Sequence, residues 1–147
     1  MKIVNKQSLL LRNKKAQFDY EAIEKVEAGI VLSGAEAKAV RAKKVDFTGS
    51  YARPIGGEMF LVNLHIGVTG EDSRRTRKLL LNKKEILSLE TKMKAHKLTA
   101  VPLSLYTSGR LIKVELALVR GKRVHEKRAQ IKKRDIERDI ESEFKDL

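Results

Sequence analysis

The stretch LTAVPLSLYTSGRLIKVELALV, residues 98–119, decides the fold because it has the pattern of two strands joined by a tight turn. Its middle, TSGR (107–110), holds residues that favour turns, and strand-like runs flank it on both sides. In the second run, four aliphatic residues alternate onto one face: Ile112, Val114, Leu116 and Leu118. Lys113 and Glu115 alternate with them and point the other way. The stretch therefore predicts a β-hairpin with one buried face and one polar face.

Further strands are predicted upstream of this hairpin. The segment SYARPIGGEMFLVNLHIGV (50–68) has two strand-like runs around Gly56 and Gly57. A Gly-Gly step supplies the positive φ values that a two-residue hairpin turn requires, so this segment predicts a second hairpin. Residues 20–32 become rich in Ile and Val before a Ser-Gly break, which indicates another strand. Residues 1–15 show no clear period and predict an arm with a short helical or extended element.

A short helix is predicted after the strand at 20–32. Ser33 stands three residues before Glu36, so the Ser hydroxyl can accept from the backbone N–H of Glu36 while the carboxylate reaches back. This capping-box spacing predicts a helix over about 34–42. Lys38 and Arg41 fall three residues apart and give that helix a basic edge.

A second helix is predicted by the same spacing. Asn82 and Glu85 form the second capping-box pair. Apolar residues then follow at steps of three and four: Ile86, Leu89 and Met93. We therefore expect an amphipathic helix that runs to about Ala95.

Together the predicted elements indicate a mainly β fold. Five or six short strands with hairpin turns, and two or three short helices, favour a small antiparallel barrel. By analogy, the oligonucleotide-binding (OB) barrel is the commonest basic barrel of this size. With 147 residues, 41% of them hydrophobic, the chain can bury one core. Because apolar alternation gives way to charge at Val119, we expect an OB-fold-like domain over 1–119 and a basic tail over 120–147.

Positive charge dominates the composition and points to an anionic partner. The chain holds 32 Lys and Arg against 19 Asp and Glu, a net charge of +13. Three basic runs stand out: 38–44, 74–78 and 120–134. The last run has eight Lys or Arg against one acid, Glu126. Because each Lys or Arg on a phosphate releases counterions and adds affinity, these runs favour a nucleic acid.

Catalytic and metal-binding motifs are missing from the sequence, so we expect neither an enzyme nor a bound cofactor. The three histidines, His65, His96 and His125, lack the i, i+4 spacing that places two imidazoles on one helical face. Cysteine is absent, which removes disulfides and thiolate metal sites. No Gly-rich phosphate loop or nucleophile elbow occurs. An enzyme such as a nuclease is therefore the weakest hypothesis.

The hydropathy pattern argues against a membrane partner. No stretch approaches the roughly 20 apolar residues of a membrane span, and no signal peptide opens the sequence. The lack of cysteine also fits a reducing compartment. We therefore expect a cytoplasmic protein.

The aromatic residues bear on the kind of nucleic acid. There are seven, few for a protein that stacks single-stranded bases: Phe18, Tyr20, Phe47, Tyr51, Phe60, Tyr106 and Phe144. We expect most of them in the core. This favours a folded RNA, recognised by shape and backbone, over an unstructured strand. A ribosomal or other structured-RNA-binding protein with a similar barrel is the alternative.

Four segments together resemble a known family. They are NKKAQFDYEAIEKVEAGIVLSGAEAKAVRAKKVDFTGSYA (13–52), RRTRKLLLNKKEI (74–86), VPLSLYTSGRLIKVELALVRGKRVHEKR (101–128) and IKKRD (131–135). Their order is similar to that of the small protein B (SmpB) family, which binds transfer-messenger RNA in bacterial trans-translation. The resemblance implies an OB barrel that holds the tRNA-like domain of this RNA, and a basic tail that enters stalled ribosomes. It also implies elongation factor Tu in the delivery complex.

The resemblance implies an RNA-binding face on the barrel. Asn13, Glu27, Leu80 and Lys113 match segments of that face. The basic runs add further predicted RNA-binding residues: Lys38, Arg41, Arg74, Arg77 and Lys78. Glu27 needs a physical account because a carboxylate repels phosphate; it can accept from base amino groups or 2′-hydroxyls, or orient a neighbouring Lys or Arg. A purely structural salt bridge is the alternative for this residue.

In the tail, the resemblance implies contacts with the small-subunit decoding centre and the mRNA channel of the ribosome. The predicted contact residues are Lys122, Arg123, His125, Lys127, Arg128, Lys132, Lys133, Arg134 and Ile136. His125 either stacks near the decoding nucleotides or is an idle exposed ring. Like charges repel along this segment, so we expect it to be mobile in solution. In a channel walled by RNA it should form a helix over about 130–144, with Ile136, Ile140 and Phe144 as an apolar stripe.

Overall fold

A computed structural model describes residues 7–121 as nine strands and three helices. In chain order they are β1 (Gln7–Arg12), α1 (Lys14–Asp19), β2 (Tyr20–Ile30), α2 (Gly34–Arg41), β3 (Val45–Asp46), β4 (Tyr51–Ile55), β5 (Glu58–Val62), β6 (His65–Ile66), β7 (Arg77–Leu80), α3 (Lys83–His96), β8 (Thr99–Ser108) and β9 (Leu111–Gly121). The mainly β class predicted from the sequence is confirmed. More strands form than predicted, since β3 and β6 have only two residues each and show no period.

The main sheet closes on itself as an antiparallel barrel. Its strand order is β1-β8-β4-β5-β7-β2-β9, and β9 also pairs with β8. That last pairing joins the two ends of the run from β8 to β9, so six strands form a closed wall. β4 pairs with β8 at Ala100, which leaves 104–108 of the same edge to β1. The predicted small antiparallel barrel is therefore confirmed.

Both predicted hairpins form. Gly56 and Gly57 join β4 to β5 with φ values of 59° and 79°, in the left-handed region that favours glycine. β8 and β9 pair from Thr99 with Val119 to Ser108 with Leu111.

The barrel interior is aliphatic. The four residues predicted to alternate along β9 are all buried in one core with the large side chains of Met59, Leu61 and Leu64. Alternation does not describe the rest of β9, because Ala117 and Val119 on the opposite face are buried as well. They pack in a second cluster with Ala16 of α1 and with Val101 and Leu103 of β8. α1 therefore covers one part of the barrel's outer surface.

α2 and α3 begin where the capping boxes predict. Ser33 Oγ accepts from the N–H of Glu36 at 3.1 Å, and Glu36 accepts from the N–H of Ser33 at 2.9 Å. Asn82 and Glu85 make the same two bonds at 2.8 and 3.2 Å. Each helix ends within one residue of its predicted end.

The N-terminal arm differs in part from its prediction. β1 is the extended element expected there, but α1 was not predicted. Its six residues are too few to show a helical period.

The expectation that most aromatic side chains lie in the core is wrong. Among the described residues only Tyr106 is buried. Tyr20 is exposed, and four others are half-buried: Phe18, Phe47, Tyr51 and Phe60. Aliphatic side chains fill the small interior, so the larger rings are left to its surface.

β9 ends at Gly121, which pairs with Tyr20 of β2. The expected boundary at Val119 thus falls inside the last strand of the barrel. The predicted tail beyond that strand lies outside the described residues, as does Phe144.

Candidate nucleic-acid interface

Strand register aligns a row of residues on the outside of the barrel. From β7 across to β1 the row is Leu80, Gly29, Lys113, Tyr106 and Leu9, each paired with the next on the neighbouring strand. Successive residues of a strand point to opposite faces, and the chain neighbours of this row are buried in the core: Leu79, Ala28, Val114 and Leu105. We call these five residues the outer-face row.

An exposed leucine lies over a glycine at one end of the row. A Cβ on Gly29 would come within 3.2 Å of Leu80 Cβ and 3.3 Å of its Cδ1. The glycine therefore provides the space in which Leu80 rests against β2. Leu80 is 56% exposed, so its apolar side chain is available to a partner.

Glu27 is held beside the row by side chains from three other strands. Lys113 Nζ lies 2.5 Å from Glu27 Oε1. The hydrogen bond from Lys113, with further bonds from Tyr106 and Gln7, holds the pKa of Glu27 below its usual value despite some desolvation. Burial, and the bond to the Glu27 carboxylate, raise the pKa of Tyr106, so this phenol keeps its proton and donates.

This arrangement combines two of the roles considered for Glu27. The salt bridge exists, yet it lies at the surface, with the Glu27 side chain 41% exposed and Lys113 27% exposed. A carboxylate has lone pairs beyond those that Lys113 uses, so it can accept from a base amino group or a 2′-hydroxyl. A groove of about 580 Å³ runs alongside, lined by Arg12 and Lys25 and also by a second carboxylate, Glu115. The site can therefore offer an acceptor whose charge Lys113 neutralises, in surroundings of mixed charge.

Lys78 lies on the same side of β7 as Leu80, since both are exposed and alternate with buried residues. Its Nζ is 3.0 Å from Glu58 of β5, and both side chains are about half exposed. Such a surface pair is worth at most about 1 kcal/mol, so a phosphate can replace the carboxylate.

The other predicted basic residues lie on elements outside the row. Lys38 and Arg41 are exposed on α2, and Arg41 donates to the carbonyl of Arg110 in the β8–β9 turn at 3.0 Å. Arg74 is exposed in the loop before β7 and donates to the carbonyl of Asn63 at 3.1 Å. The structure therefore does not gather all the predicted RNA-binding residues on one patch.

Arg77 was predicted as an RNA contact, and this prediction is wrong. Its side chain is 0% exposed and donates to Glu36 on α2. It also donates to the carbonyls of Leu64 at 2.7 Å and Ser73 at 3.2 Å. Strand alternation contained the signal, because Arg77 shares a face of β7 with the core residue Leu79.

Glu36 stays charged in the interior because two arginines surround it. Burial alone would raise the pKa of this carboxyl. Hydrogen bonds from Arg75, from the backbone of Ser33 and from Arg77 outweigh burial and lower the pKa to about 2. The buried ion pair between Glu36 and Arg77 holds α2 against β7.

Asn13 is also buried, at 8% exposure, so a direct RNA contact through its side chain is wrong. Its amide donates to the carbonyl of Pro102 at 2.8 Å and accepts from the N–H of Ala16 at 3.2 Å. Its own N–H donates to the carbonyl of Leu103 at 2.7 Å. Asn13 thus caps α1 and fixes it to β8.

Sequence reasoning missed Gly29 and Tyr106. The register of the hairpin at 98–119 contained a signal for Tyr106, since a turn centred on residues 109 and 110 places it opposite Lys113. Gly29 could not be found this way, because its neighbour Leu80 is 51 residues away in sequence. The predicted tail contacts between Lys122 and Ile136, and the helix over 130–144, lie outside the described residues.

Within residues 7–121, no group of three or more His, Asp or Glu side chains is placed to hold a metal ion. None of the helices described there is long and apolar enough to cross a membrane.

Comparisons with known proteins give consistent matches. The family model described as "SmpB protein" matches residues 10–146. A protein of Streptococcus pyogenes serotype M3 named SsrA-binding protein is 45% identical over 143 residues, covering 93% of this chain and 92% of that protein. One of the same name from Chloroflexus aggregans is 45% identical over 145 residues, covering 94% and 92%. A solved chain described as "tmRNA-SmpB: a journey to the center of the bacterial ribosome" is 48% identical with a TM-score of 0.66, covering 78% of this chain and 85% of that one.

Proposed function

This chain belongs to the SmpB protein family, and on that premise we propose that its barrel binds transfer-messenger RNA for the rescue of stalled ribosomes. The observation that carries the proposal is the outer-face row with Glu27 beside it. Three of the residues matched to the family's RNA-binding segments, Glu27, Leu80 and Lys113, come from three strands and lie together there.

The chemistry of the patch fits a structured RNA. Leu80 offers an apolar contact to a ribose or base, and Glu27 offers an acceptor to amino groups or 2′-hydroxyls. Lys78 and Lys113 supply positive charge for the backbone. Lys38, Arg41 and Arg74 then add phosphate contacts away from the patch, which position an RNA without reading its sequence.

We further propose that residues 120–147 form the ribosome-contacting part. Their basic run would follow the empty mRNA channel to the decoding centre, with Lys127, Arg128 and Lys132 to Arg134 on ribosomal RNA. His125 and Ile136 belong to the same proposal, His125 near the decoding nucleotides and Ile136 on the stripe of the bound helix. In this account the barrel and the RNA imitate a tRNA that elongation factor Tu delivers.

Replacement of Lys113 tests the barrel's part of the proposal. Lys113→Gln should weaken transfer-messenger RNA binding by about tenfold in a filter-binding titration, since it removes a charge from the patch and frees Glu27 to repel phosphate. Its melting temperature should stay near that of the parent, because the ion pair is partly exposed. Lys94→Gln is the matched control, since Lys94 pairs with Glu90 on α3, outside the patch. Equal affinities for the two variants would refute the proposed face.

A further inference from the structure

A second concave surface, which the proposed function does not use, lies where α1 faces the loop at 46–50. It has a volume of about 690 Å³, and three aromatic rings line it: Tyr20, Phe47 and Tyr51. None of the three is buried. Tyr20 is seven residues from Glu27 along β2, roughly 20 Å, while Arg12 lines both this α1 groove and the groove beside Glu27. Phe47 packs partly against the main core and Tyr51 partly against the second cluster, and both also line the groove.

Hydrogen bonds fix both walls of the α1 groove. On the loop wall, Thr48 N–H donates to Asp46 Oδ1 at 2.9 Å. The Ser50 N–H and Oγ both donate to the carbonyl of Phe47, at 3.0 and 2.6 Å. On the other wall, two bonds from Asn13 to carbonyls of β8 hold the start of α1, and a third, accepted from Ala16 N–H, caps the helix. A groove fixed in this way loses little entropy when a ligand enters.

The wall of the groove formed by β1 and α1 is mainly basic, and the loop wall carries a carboxylate. Arg12, Lys14 and Lys15 are exposed on the wall formed by β1 and α1. Asp19 also lines the groove, at the end of α1, and Asp46 lies beside Phe47 on the loop wall. One wall thus suits a phosphate. The other combines an aromatic face with a carboxylate that can accept from the ring N–H or amino group of a base.

We propose that the α1 groove holds one unstacked nucleotide of transfer-messenger RNA. Its base stacks on Phe47 and Tyr51, and its phosphate lies against Lys14 and Lys15. This inference rests on the proposed function and adds a contact beyond the outer-face row. Asn13 is then a positioning residue for RNA, because it sets the wall that carries the two lysines.

The absence of tryptophan from the sequence allows a direct test of stacking. Phe47→Trp introduces a single tryptophan into the full-length protein, and stacking on a base should quench the tryptophan fluorescence when transfer-messenger RNA is added. Leu87→Trp is the control, since Leu87 is exposed on α3 away from the groove. Quenching at position 47 and not at 87 supports the proposal. RNA binding without quenching at 47 overturns it, as does quenching by ribosomal subunits alone and not by transfer-messenger RNA.

Affinity provides the second measurement. Phe47→Leu keeps an apolar side chain but removes the ring, and should weaken binding by about 5- to 150-fold, the range of one base stack. Phe47→Tyr keeps the ring and should bind like the parent. If Phe47→Leu binds as tightly as the parent, with the same chemical protection of every nucleotide, the groove proposal is wrong while the proposed function stands. If the parent itself does not bind this RNA, the proposed function fails first and the groove proposal falls with it.

Discussion

At the scale of single residues, the Glu36 carboxylate is a fully buried charge that balances the buried Arg77. Its folded pKa of about 2 lies below the ordinary value of 4.5, so its stabilising contribution is complete above pH 4.5 and is lost as the pH falls towards 2. At pH 7, Glu36→Gln leaves Arg77 buried without its counter-charge and should lower the free energy of unfolding by about 3 kcal/mol. Urea denaturation at a series of pH values should show that the difference in free energy of unfolding between variant and parent decreases below pH 4.5.

Glu58→Gln is the control for this prediction. Glu58 pairs with Lys78 at the surface, so its loss should cost less than about 1 kcal/mol. If the difference in free energy of unfolding between the parent and Glu36→Gln stays constant down to pH 2.5, the charge of Glu36 is not what stabilises the fold.

Gly29 should matter for RNA binding more than for stability. An alanine Cβ there would lie 3.2 Å from Leu80 Cβ and 3.3 Å from its Cδ1; rotation of the exposed side chain moves Cδ1 away, and a shift of a few tenths of an ångström relieves the contact at Cβ. We expect Gly29→Ala to keep its melting temperature and to bind transfer-messenger RNA about fivefold more weakly, a loss of roughly 1 kcal/mol of apolar contact.

A double-mutant cycle identifies the cause of that loss. Leu80→Ala should weaken binding by a similar factor, and adding Gly29→Ala to it should change nothing more. Fully additive effects would mean that Gly29 does not act through Leu80.

The residue type alone does not show whether a charged side chain is exposed or buried. Arg77 and Lys78 are neighbours in the same basic run, yet one fastens α2 to β7 and the other faces solvent. Strand alternation distinguishes them only once β7 is recognised, and that strand has four residues. Asn13 has the same difficulty, since its partner Pro102 is 89 residues away.

At the scale of elements, local signals predicted what they physically control. The capping boxes at Ser33 and Asn82 and the turn at Gly56 and Gly57 act within a few residues, and each was found from sequence. The helix α1 is stabilised by Asn13 and by burial of Ala16 in the second cluster. The cap is local, since Asn13 accepts from the N–H of Ala16, but it lacks the Glu or Gln at the third helical position that completes the other two boxes. The burial is against β8, so the local signal for this helix was weak.

The last strand sets a sharper boundary for separating barrel from tail. A chain that ends at Gly121 keeps all the barrel pairings and 23 Lys and Arg against 12 Asp and Glu. It should bind transfer-messenger RNA with an affinity close to that of the full chain at moderate salt, but fail to support peptide tagging on stalled ribosomes. Gel-shift titration and a reconstituted tagging assay measure the two activities, with the full chain as control. A collapse of RNA affinity, or normal tagging, would contradict the division.

At the scale of the whole molecule, the strand pairing that closes the barrel was the least predictable feature. The sequence pattern indicated an antiparallel barrel, but β9 joins the sheet to β2 as well as to its hairpin partner β8. In that pairing Gly29 meets Lys113, 84 residues later in the chain. Closure brings β7, β2 and β9 side by side, and only then do Leu80, Glu27 and Lys113 share one surface. The resemblance identified these three residues from the sequence, and the closed sheet shows how they are arranged.

Site-specific photocrosslinking tests this arrangement most directly. A benzophenone amino acid is placed at Leu80 in one protein and at Leu87 in another. Both leucines are exposed, at 56% and 66%, but Leu80 belongs to the outer-face row and Leu87 lies on α3. Each protein is irradiated with transfer-messenger RNA and the crosslinked nucleotides are sequenced. Crosslinks from position 80 to the tRNA-like domain, with none from position 87, are the predicted result. Crosslinks from 87 and not from 80, while the RNA stays bound, would contradict the outer face as the RNA-binding surface.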